Sequence, residues 1–393
     1  MEPASDWPLD PTIHFLNHGS FGSCPTPVLR YQSELRRRME RQPVQFFVRD
    51  LEALLDGARE ALARFVHVAA DDLVPLSNAT AGVNAVLRSL DLGATDELLV
   101  TDHEYNACRN ALDYVASRAG ARVVVAAIPF PLTSPDEVVE AVLGRVTRRT
   151  RLALLDHVTS QTGLVLPIER LVAELASRGV ETLVDGAHAP GMLDLDLSRV
   201  GAAYYAGNCH KWLCAPKGAG FLYARRDLQP AVRPIAISHG ANTPRPGRSR
   251  FQTEFGWLGT DDPTPFLCVP RSLRFLADAL PGGWPALRRR NRGLVLEGRR
   301  VLCEALDRGL PCPDEMIGSL ASIPLPAAPP AEGRSALYGD PLQEVLLGRF
   351  SIEVPIVAWP AAPERLVRIS AQLYNRPEQY RLLAAALGEV LRA

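Results

Sequence analysis

Two residues in the middle of the chain have the types and setting needed for amine chemistry on a heteroaromatic ring. Asp185 follows an apolar pair, and Lys211 comes later in the chain, between His210 and Trp212. A desolvated lysine has a lowered pKa, so its amine can attack an aldehyde. A buried carboxylate keeps a ring nitrogen protonated, and a protonated ring accepts electrons from a carbanion. The pair therefore predicts catalysis through an aldehyde that is attached to a heteroaromatic ring.

Lysine is rare in this chain, which narrows the choice of amine. Lysine and arginine together number 43, and of these only Lys211 and Lys217 are lysines. Lys217 lies in a turn-like sequence with proline and glycine and is the weaker candidate. Two ordinary interpretations stay open at this point. Asp185 could simply cap a helix, and Lys211 could be a lysine whose charged end reaches the surface.

Small polar residues around position 78 could bind a phosphate. Ser77, Asn78, Ala79 and Thr80 precede a predicted helix over 81–90. The start of a helix offers free backbone N–H groups, and these bind anions. An ordinary N-cap has the same sequence, so this segment does not decide between the two by itself.

Composition and the remaining motifs argue against several other functions. The formal net charge is −1, so no field attracts nucleic acid or an acidic membrane. No apolar run approaches the ~20 residues that span a bilayer. Seven scattered cysteines favour reduced thiols in a cytoplasmic protein over a disulfide framework. Cys209, His210 and Cys214 lack zinc-site spacing, so we expect no metal. A dinucleotide fingerprint is also missing.

Apolar strand-like runs alternate with helical patterns through the middle of the chain. This alternation implies right-handed crossovers and a mostly parallel sheet covered by helices. Ligands of such sheets bind at the carboxyl ends of strands, where Asp185 and Lys211 both fall. The strand-like runs are 98–100, 122–128, 152–155, 182–184 and 202–206, and the helical patterns between them are 107–118, 135–146 and 167–177.

The pattern changes after about residue 270. A long helical stretch over 271–306 leads into short strand-like pieces and a closing helix, which predicts a second, α+β domain. Surface loops are predicted over 242–250 and 324–333. The strand-like pieces are 317–323, 352–357 and 366–370, and the closing helix is 377–391.

Together these segments resemble the class V aminotransferase family of fold-type I pyridoxal-phosphate enzymes, most of all its isopenicillin N epimerase-like branch. They are similar also to cysteine desulfurases and C–S lyases. The resemblance implies an α/β fold, with a mostly parallel seven-stranded sheet and a smaller α+β domain. It implies an N-terminal active-site segment over 1–22, a large cofactor domain over 23–270 and a small domain over 271–393. The motifs are 16–22, 78–80, 102–106, 185–188, 210–211 and 367–370.

The resemblance also implies a role for each candidate residue, with pyridoxal 5′-phosphate as cofactor. Lys211 would form the imine with the cofactor aldehyde and move protons at the substrate α-carbon, and Asp185 would bind the pyridine nitrogen. Asn78, Ala79, Thr80, Asn208 and His210 would hold the phosphate, and Thr260 would reach the phosphate of the partner subunit in a homodimer with shared active sites. His188 and Ser160 would approach the ring hydroxyl, His103 or Tyr105 would stack on the ring, and Arg368, Asn17 and Gly19 would bind the substrate.

The expected substrate is an amino acid that loses its α-proton. The carbanion can be reprotonated on the other face, can lose a β-substituent, or can be reprotonated at the cofactor. These routes are epimerisation, C–S lysis and transamination, and the resemblance favours the first two, in secondary metabolism. A non-catalytic scaffold is a remote alternative. Desulfurases carry a mobile cysteine that receives sulfur, whereas Cys268 lies in an apolar segment, so persulfide transfer is disfavoured.

Overall fold

The structure is a computed structural model that describes residues 6–328 and 339–392. In that part of the chain, no helix is long and apolar enough to cross a membrane. Of the loop predicted over 324–333, residues 329–333 lie outside the described residues.

The strands and helices alternate along most of the chain. The strands are β1 (His14–Phe15), β2 (Leu73–Leu76), β3 (Glu97–Thr101), β4 (Arg122–Ala126), β5 (Thr150–Asp156), β6 (Glu181–Gly186), β7 (Tyr204–Asn208), β8 (Gly220–Ala224), β9 (Leu320–Leu325), β10 (Ile352–Glu353), β11 (Ile356–Ala358) and β12 (Arg365–Ser370). The α-helices are α1 (His18–Phe21), α2 (Thr26–Arg41), α3 (Leu51–Phe65), α4 (Ala79–Ser89), α5 (Asn106–Ala119), α6 (Pro135–Leu143), α7 (Ile168–Ala176), α8 (Leu197–Val200), α9 (Arg250–Phe255), α10 (Thr264–Leu267), α11 (Val269–Asp278), α12 (Gly283–Ala305), α13 (Pro341–Phe350) and α14 (Pro377–Val390).

A seven-stranded sheet forms the centre of the larger part of the chain. Its strands lie in the order β2–β8–β7–β6–β5–β3–β4, and the pairs β2–β8 and β8–β7 are antiparallel while the other four are parallel. Every residue of β3 and β7 is buried, because helices cover both faces of a parallel sheet. This arrangement confirms the predicted mostly parallel, seven-stranded α/β fold.

The register of the central strands brings three polar strand ends together. Asp156 at the end of β5 lies opposite Asp185 on β6, and Gly186 lies opposite Gly207 on β7. Because parallel strands end at the same edge, Asp185 at the end of β6 and the loop after β7 that carries Lys211 lie side by side.

A second, antiparallel sheet in the order β11–β12–β9 forms in the C-terminal part of the chain. The N-terminal segment docks there too, since β1 pairs in parallel with β10 and Gly19 N–H donates to Ser370 Oγ over 3.0 Å. The start of the chain therefore lies beside Arg368, on β12. The predicted boundaries at residues 22 and 270 stay predictions.

Two predicted elements are each divided into two in the structure. The helix predicted over 271–306 is two helices, α11 and α12, which are separated around Gly282 and Gly283, both with positive φ. A continuous α-helix cannot pass through residues at such angles, and glycine adopts them without a side-chain clash. The strand predicted over 352–357 is also two short strands, β10 and β11, on either side of Val354 and Pro355. The antiparallel strands β2 and β8 were not predicted.

Candidate active site

Asp185 is a buried carboxylate at the carboxyl end of β6 and is 2% exposed. Its Oδ1 accepts the Ala187 N–H over 2.9 Å, and its Oδ2 accepts the Cys108 S–H over 3.0 Å. These contacts fix the carboxylate in place as a hydrogen-bond acceptor. The helix-cap interpretation does not account for this burial, because no α-helix starts at Asp185.

Lys211 lies in the loop after β7 with its amine facing His188. Lys211 Nζ is 3.1 Å from His188 Nε2, and Trp212 Nε1 is 3.2 Å from His188 Nδ1. Burial lowers the pKa of Lys211 to about 8, against the opposing pull of the Asp185 carboxylate. Near pH 8, the Lys211 amine is therefore neutral in a large fraction of the molecules. The neutral form is the one that nucleophilic chemistry requires.

The same edge of the sheet holds two further buried carboxyls that the sequence analysis did not single out. Glu104, in the loop after β3, is 5% exposed, and Asp156 is 3% exposed. Among the described residues, no donor forms a hydrogen bond of acceptable geometry with either Glu104 oxygen or with Asp156 Oδ2. Burial and the neighbouring carboxylates raise the pKa of Glu104 well above its usual value. The pKa of Asp156 is raised for the same two reasons.

A metal ion is a second chemical interpretation of part of this cluster. Carboxylate oxygens of Glu104 and Asp185 and the Cys108 Sγ lie within 4.8 Å of one another. Burial and the nearby carboxylates also raise the pKa of the Cys108 thiol well above its usual value, so Cys108 is a thiol that donates to Asp185. The Cys108 S–H already has Asp185 Oδ2 as its acceptor, and this contact needs no cation to explain it.

Arg368 connects β12 with the N-terminal segment and with the loop after β5. Its Nη1 donates to the Ser160 backbone O over 2.6 Å, and its Nη2 donates to Ser20 Oγ over 2.7 Å. Ser20 in turn donates to Asn17 Oδ1 over 2.5 Å. The structure thus brings Arg368, Ser160 and Asn17 together as predicted, and it adds Ser20. Gly19 lies against Leu320, where an added Cβ would be 2.4 Å from a methyl group.

The predicted phosphate-binding residues also lie together, at the start of α4. Asn78 caps the helix by accepting the Ala81 N–H, and Asn208 Oδ1 accepts the Ala79 N–H over 2.8 Å. His210 Nδ1 lies 3.0 Å from the carbonyl of Ala219, which can only accept. Burial lowers the pKa of His210 to about 4. The neutral ring then offers Nε2 only as an acceptor, and a nearby phosphate would favour the protonated, donating form.

Three further predicted residues are His103, Tyr105 and Thr260. His103 is fully buried beside Trp359, and its two nitrogens contact Thr162 Oγ1 and the carbonyl of Ile128. Tyr105 is partly buried at the start of α5, and Thr260 is exposed. Glu104, between His103 and Tyr105 in the chain, is the residue of this loop that lies near Asp185.

The N-terminal segment holds the backbone of the lysine loop in place. His18 is fully buried, and its Nε2 donates to the Lys211 carbonyl over 3.0 Å while its Nδ1 faces Tyr374 Oη over 2.7 Å. Burial lowers the pKa of His18 to about 3, so the ring is neutral. Gly22 has a φ of 68°, and a Cβ there would lie 2.2 Å from the His210 carbonyl. Glycine at this position therefore allows the two loops to pack closely.

The comparison with protein families decides what this arrangement is. Residues 26–253 match the model of the class V aminotransferases. The chain belongs to the class V aminotransferase family. It is therefore a pyridoxal-phosphate enzyme.

Individual relatives agree with the family assignment. The chain is 37% identical to isopenicillin N epimerase of Streptomyces clavuligerus, over 96% of this chain and 95% of that protein. It is 32% identical to the probable chloroplastic L-cysteine desulfhydrase of Arabidopsis thaliana, over 98% of this chain and 84% of that protein. A solved structure of a C-DES mutant with glycine covalently linked to its PLP cofactor has a TM-score of 0.79, at 22% identity over 98% of both chains, which shows the shared fold.

The residues present fit this cofactor of the class V aminotransferases. A neutral amine is available at Lys211, and a fixed carboxylate is available at Asp185 for a ring nitrogen. The start of an 11-residue helix, beside Asn208 and His210, suits a phosphate. The amine matches the aldehyde of the cofactor, the carboxylate matches its pyridine nitrogen, and the N–H groups at the helix start match its phosphate.

Proposed function

We propose that this class V aminotransferase-family enzyme removes the α-proton of an amino acid and returns a proton to the opposite face, as an epimerase does. The observation that carries the proposal is the amine of Lys211, which lies beside Asp185 and whose pKa burial lowers to about 8, so that it can act as a base. Removal and return of an α-proton need a group that can accept a proton and give it back, and an amine of this kind suits that need. The similarity to isopenicillin N epimerase along nearly the whole chain supports this route.

In this proposal, Lys211 and Asp185 act on opposite ends of the cofactor ring. Pyridoxal phosphate, when bound, supplies an electron sink that stabilises a carbanion at the substrate α-carbon. Lys211 binds the cofactor aldehyde through its neutral amine and moves the α-proton. Asp185 accepts a hydrogen bond from the pyridine nitrogen and keeps it protonated, since the Ala187 N–H and Cys108 S–H hold its carboxylate in position.

The remaining predicted residues complete the proposed site. The substrate carboxylate binds the Arg368 guanidinium, and Ser20, which the structure adds to the predicted Asn17 and Gly19, orients that guanidinium through its hydroxyl. His188 and Ser160 approach the ring hydroxyl, and His103 or Tyr105 covers the ring face. The phosphate is held by Asn78, Ala79, Thr80, Asn208 and His210.

A C–S β-lyase activity is the second candidate, because desulfhydrases are also among the relatives. It uses the same first step, and the carbanion then expels a sulfur substituent. A desulfurase-type relay through a protein cysteine is disfavoured, since all seven cysteines are buried. A buried thiol in apolar surroundings stays protonated and cannot receive sulfur from a substrate. Transamination is the third route.

Isotope labelling in deuterated water separates the three routes. The cofactor-loaded enzyme is incubated with a panel of amino acids, peptides with a free α-amino-acid end, and cysteine S-conjugates. We expect deuterium at the α-carbon with inverted configuration for at least one substrate. Pyruvate with ammonia would instead establish elimination, and a keto acid with the amine form of the cofactor would establish transamination. Either of these results without inversion contradicts the epimerase proposal.

Arg368→Gln is expected to weaken substrate binding about 100-fold. The substitution removes a charged fork that the structure holds at two points, and charge-assisted hydrogen bonds of this kind are worth roughly 1.5–3 kcal/mol. The measurement is KM, together with the dissociation constant of an unreactive carboxylate analogue. Arg365→Gln is the matched control, because Arg365 lies on the same strand and pairs with Asp340. Equal losses in both variants would contradict a substrate role for Arg368.

We also propose that the enzyme is a homodimer with shared active sites. Thr260 is exposed on the surface of the single chain, as a residue that reaches a partner's phosphate has to be. Large apolar side chains are exposed on this chain at Phe21, Val44, Val48, Ile235 and Ile237. Apolar surface of this kind is typical of an interface.

We place the enzyme in the cytoplasm and in secondary metabolism, consistent with seven free thiols and with the epimerase relatives.

A further inference from the structure

Trp212 contacts the histidine that faces the active-site lysine. Its indole Nε1 lies 3.2 Å from His188 Nδ1, and on the other side of the ring His188 Nε2 lies 3.1 Å from Lys211 Nζ. His188 is 2% exposed and Trp212 is 1% exposed. The three groups therefore form a line of contacts, indole to imidazole to amine, and bulk water is excluded from the indole and the imidazole.

The indole decides where the imidazole proton lies. An indole N–H can donate a hydrogen bond but cannot accept one, so His188 Nδ1 must be the acceptor. A neutral imidazole carries a single proton, which then lies on Nε2 and points at Lys211 Nζ. This N–H requires a lone pair opposite, which a neutral amine has and an ammonium lacks. A charged Lys211 would force the other tautomer and leave the buried indole N–H without its acceptor.

We propose that Trp212 is a positioning residue that fixes the Nε2–H tautomer of His188 and thereby favours the neutral amine of Lys211. The inference rests on the proposed function, because the neutral amine is the form that can add to an aldehyde. Favouring it releases one proton from the lysine to solvent and leaves the proton count of His188 and Trp212 unchanged.

The charges around the two groups are compatible with this role. His188 has to stay neutral, and burial together with its charged neighbours lowers its pKa well below the usual value. The cationic neighbours are Arg368 and the ammonium form of Lys211, and His18 and His210 act in the same direction only when they are protonated. Lys211 is pulled in both directions. Burial and Arg368 favour its neutral form, whereas Asp185, Cys108 and Asp156 favour the ammonium. The indole adds a neutral, directional contribution that none of these charges supplies.

The presence of only two lysines makes the test direct. The full-length chain is labelled with isotope-enriched lysine, freed of cofactor, and titrated with pH while the two lysine signals are followed by NMR. Trp212→Phe keeps an aromatic ring and removes the N–H. We expect the titration midpoint of Lys211 to rise by about one pH unit, the size of the one indole hydrogen bond that the ammonium form leaves unmade in the wild type. The midpoint of Lys217 should not move.

Two comparisons separate this role from a merely structural one. Trp284→Phe is the matched control, because it makes the same change at a tryptophan that packs against Phe65. In a His188→Gln background, Trp212→Phe should no longer move the Lys211 midpoint, since the indole acts through His188. Imidazole nitrogen signals of labelled wild-type protein should show an unprotonated Nδ1 at His188.

An unmoved Lys211 midpoint in Trp212→Phe overturns the proposal. Equal movement of Lys211 and Lys217 does so as well, and so does a shift that persists in the His188→Gln background. The lysine titration needs no bound cofactor. Failure of the proposed function would appear separately, as the absence of a reducible link between the cofactor and the chain. Recovery of the yellow colour when cofactor is added back verifies that the titrated chain is native.

Discussion

Lys211→Ala is expected to abolish the covalent link between pyridoxal phosphate and the chain and to reduce turnover by about 10³-fold or more. The substitution removes the amine that binds the aldehyde and the base that moves the α-proton, and a positioned base alone contributes roughly 10²–10⁴-fold. Treating the loaded wild-type enzyme with borohydride, followed by peptide mass analysis, should find the cofactor on Lys211. The variant should lose the cofactor on dialysis.

Lys217→Ala is the matched control for this prediction, because Lys217 is the other lysine of the chain. Lys217 Nζ donates to the Gly22 carbonyl over 3.1 Å, and the variant loses only that contact. We expect it to keep the reducible cofactor and most of the turnover. Cofactor fixed on Lys217, or an unchanged yield of fixed cofactor in Lys211→Ala, would show that the assignment of the amine is wrong.

Glu104→Gln is expected to stabilise the cofactor-free chain by up to about 4 kcal/mol at pH 7. The Glu104 carboxyl lies within hydrogen-bonding reach of Asp156, and burial with the Asp156 and Asp185 carboxylates raises its pKa well above the ordinary value. Three buried carboxyls cannot all be ionised beside a single lysine, so at least one of them keeps a proton. Glutamine has the shape of that neutral acid and can donate to Asp156 as the acid does.

The sign of the pH dependence follows from where the proton is bound. Above about pH 4.3 the unfolded chain has an ionised Glu104, whereas the folded chain keeps it protonated. Wild-type stability therefore falls relative to the variant by about 1.4 kcal/mol for each pH unit above that value, until pH reaches the raised pKa. Urea unfolding of both proteins between pH 4 and 8 measures this difference, which should vanish near pH 4.

Glu97→Gln is the matched control, since Glu97 is a buried glutamate with the opposite character. It pairs with Arg122 and Arg149 over 2.7 Å each and accepts the Thr147 hydroxyl. The Thr147 hydrogen bond first, and then the two arginines, lower the pKa of Glu97. This variant should be less stable than wild type at pH 7. A Glu104→Gln variant that is equally destabilised, or whose difference from wild type does not vary with pH, would contradict the neutral-acid interpretation.

Residue type and order along the chain were enough to predict the fold class and the family. Strand-like runs alternate with helical patterns at fixed spacings, and the central sheet follows from that alternation because each strand needs helices on both of its faces. Two lysines in the whole chain reduced the search for an amine to two positions. Asp185 and Lys211 could be predicted because each follows a strand, and parallel strands end at one edge.

The prediction of one helix over 271–306 was wrong. The helical spacing of its side chains continues along the sequence, but the backbone turns at Gly282 and Gly283. Strands β2 and β8 were missed because an edge strand and its antiparallel neighbour do not follow the strand–helix alternation.

Other parts of the site could be decided only by the tertiary structure. The carboxyl of Glu104 lies beside those of Asp156 and Asp185 because three separate strands end next to one another. The contact of Trp212 with His188, and that of Ser20 with Arg368, join residues far apart in the chain. A side chain's burial and its partners set its proton affinity, and both depend on which segments pack together. The sequence by itself therefore determined which groups we propose to carry the chemistry, whereas only the folded chain decided which of them are charged and where their protons lie.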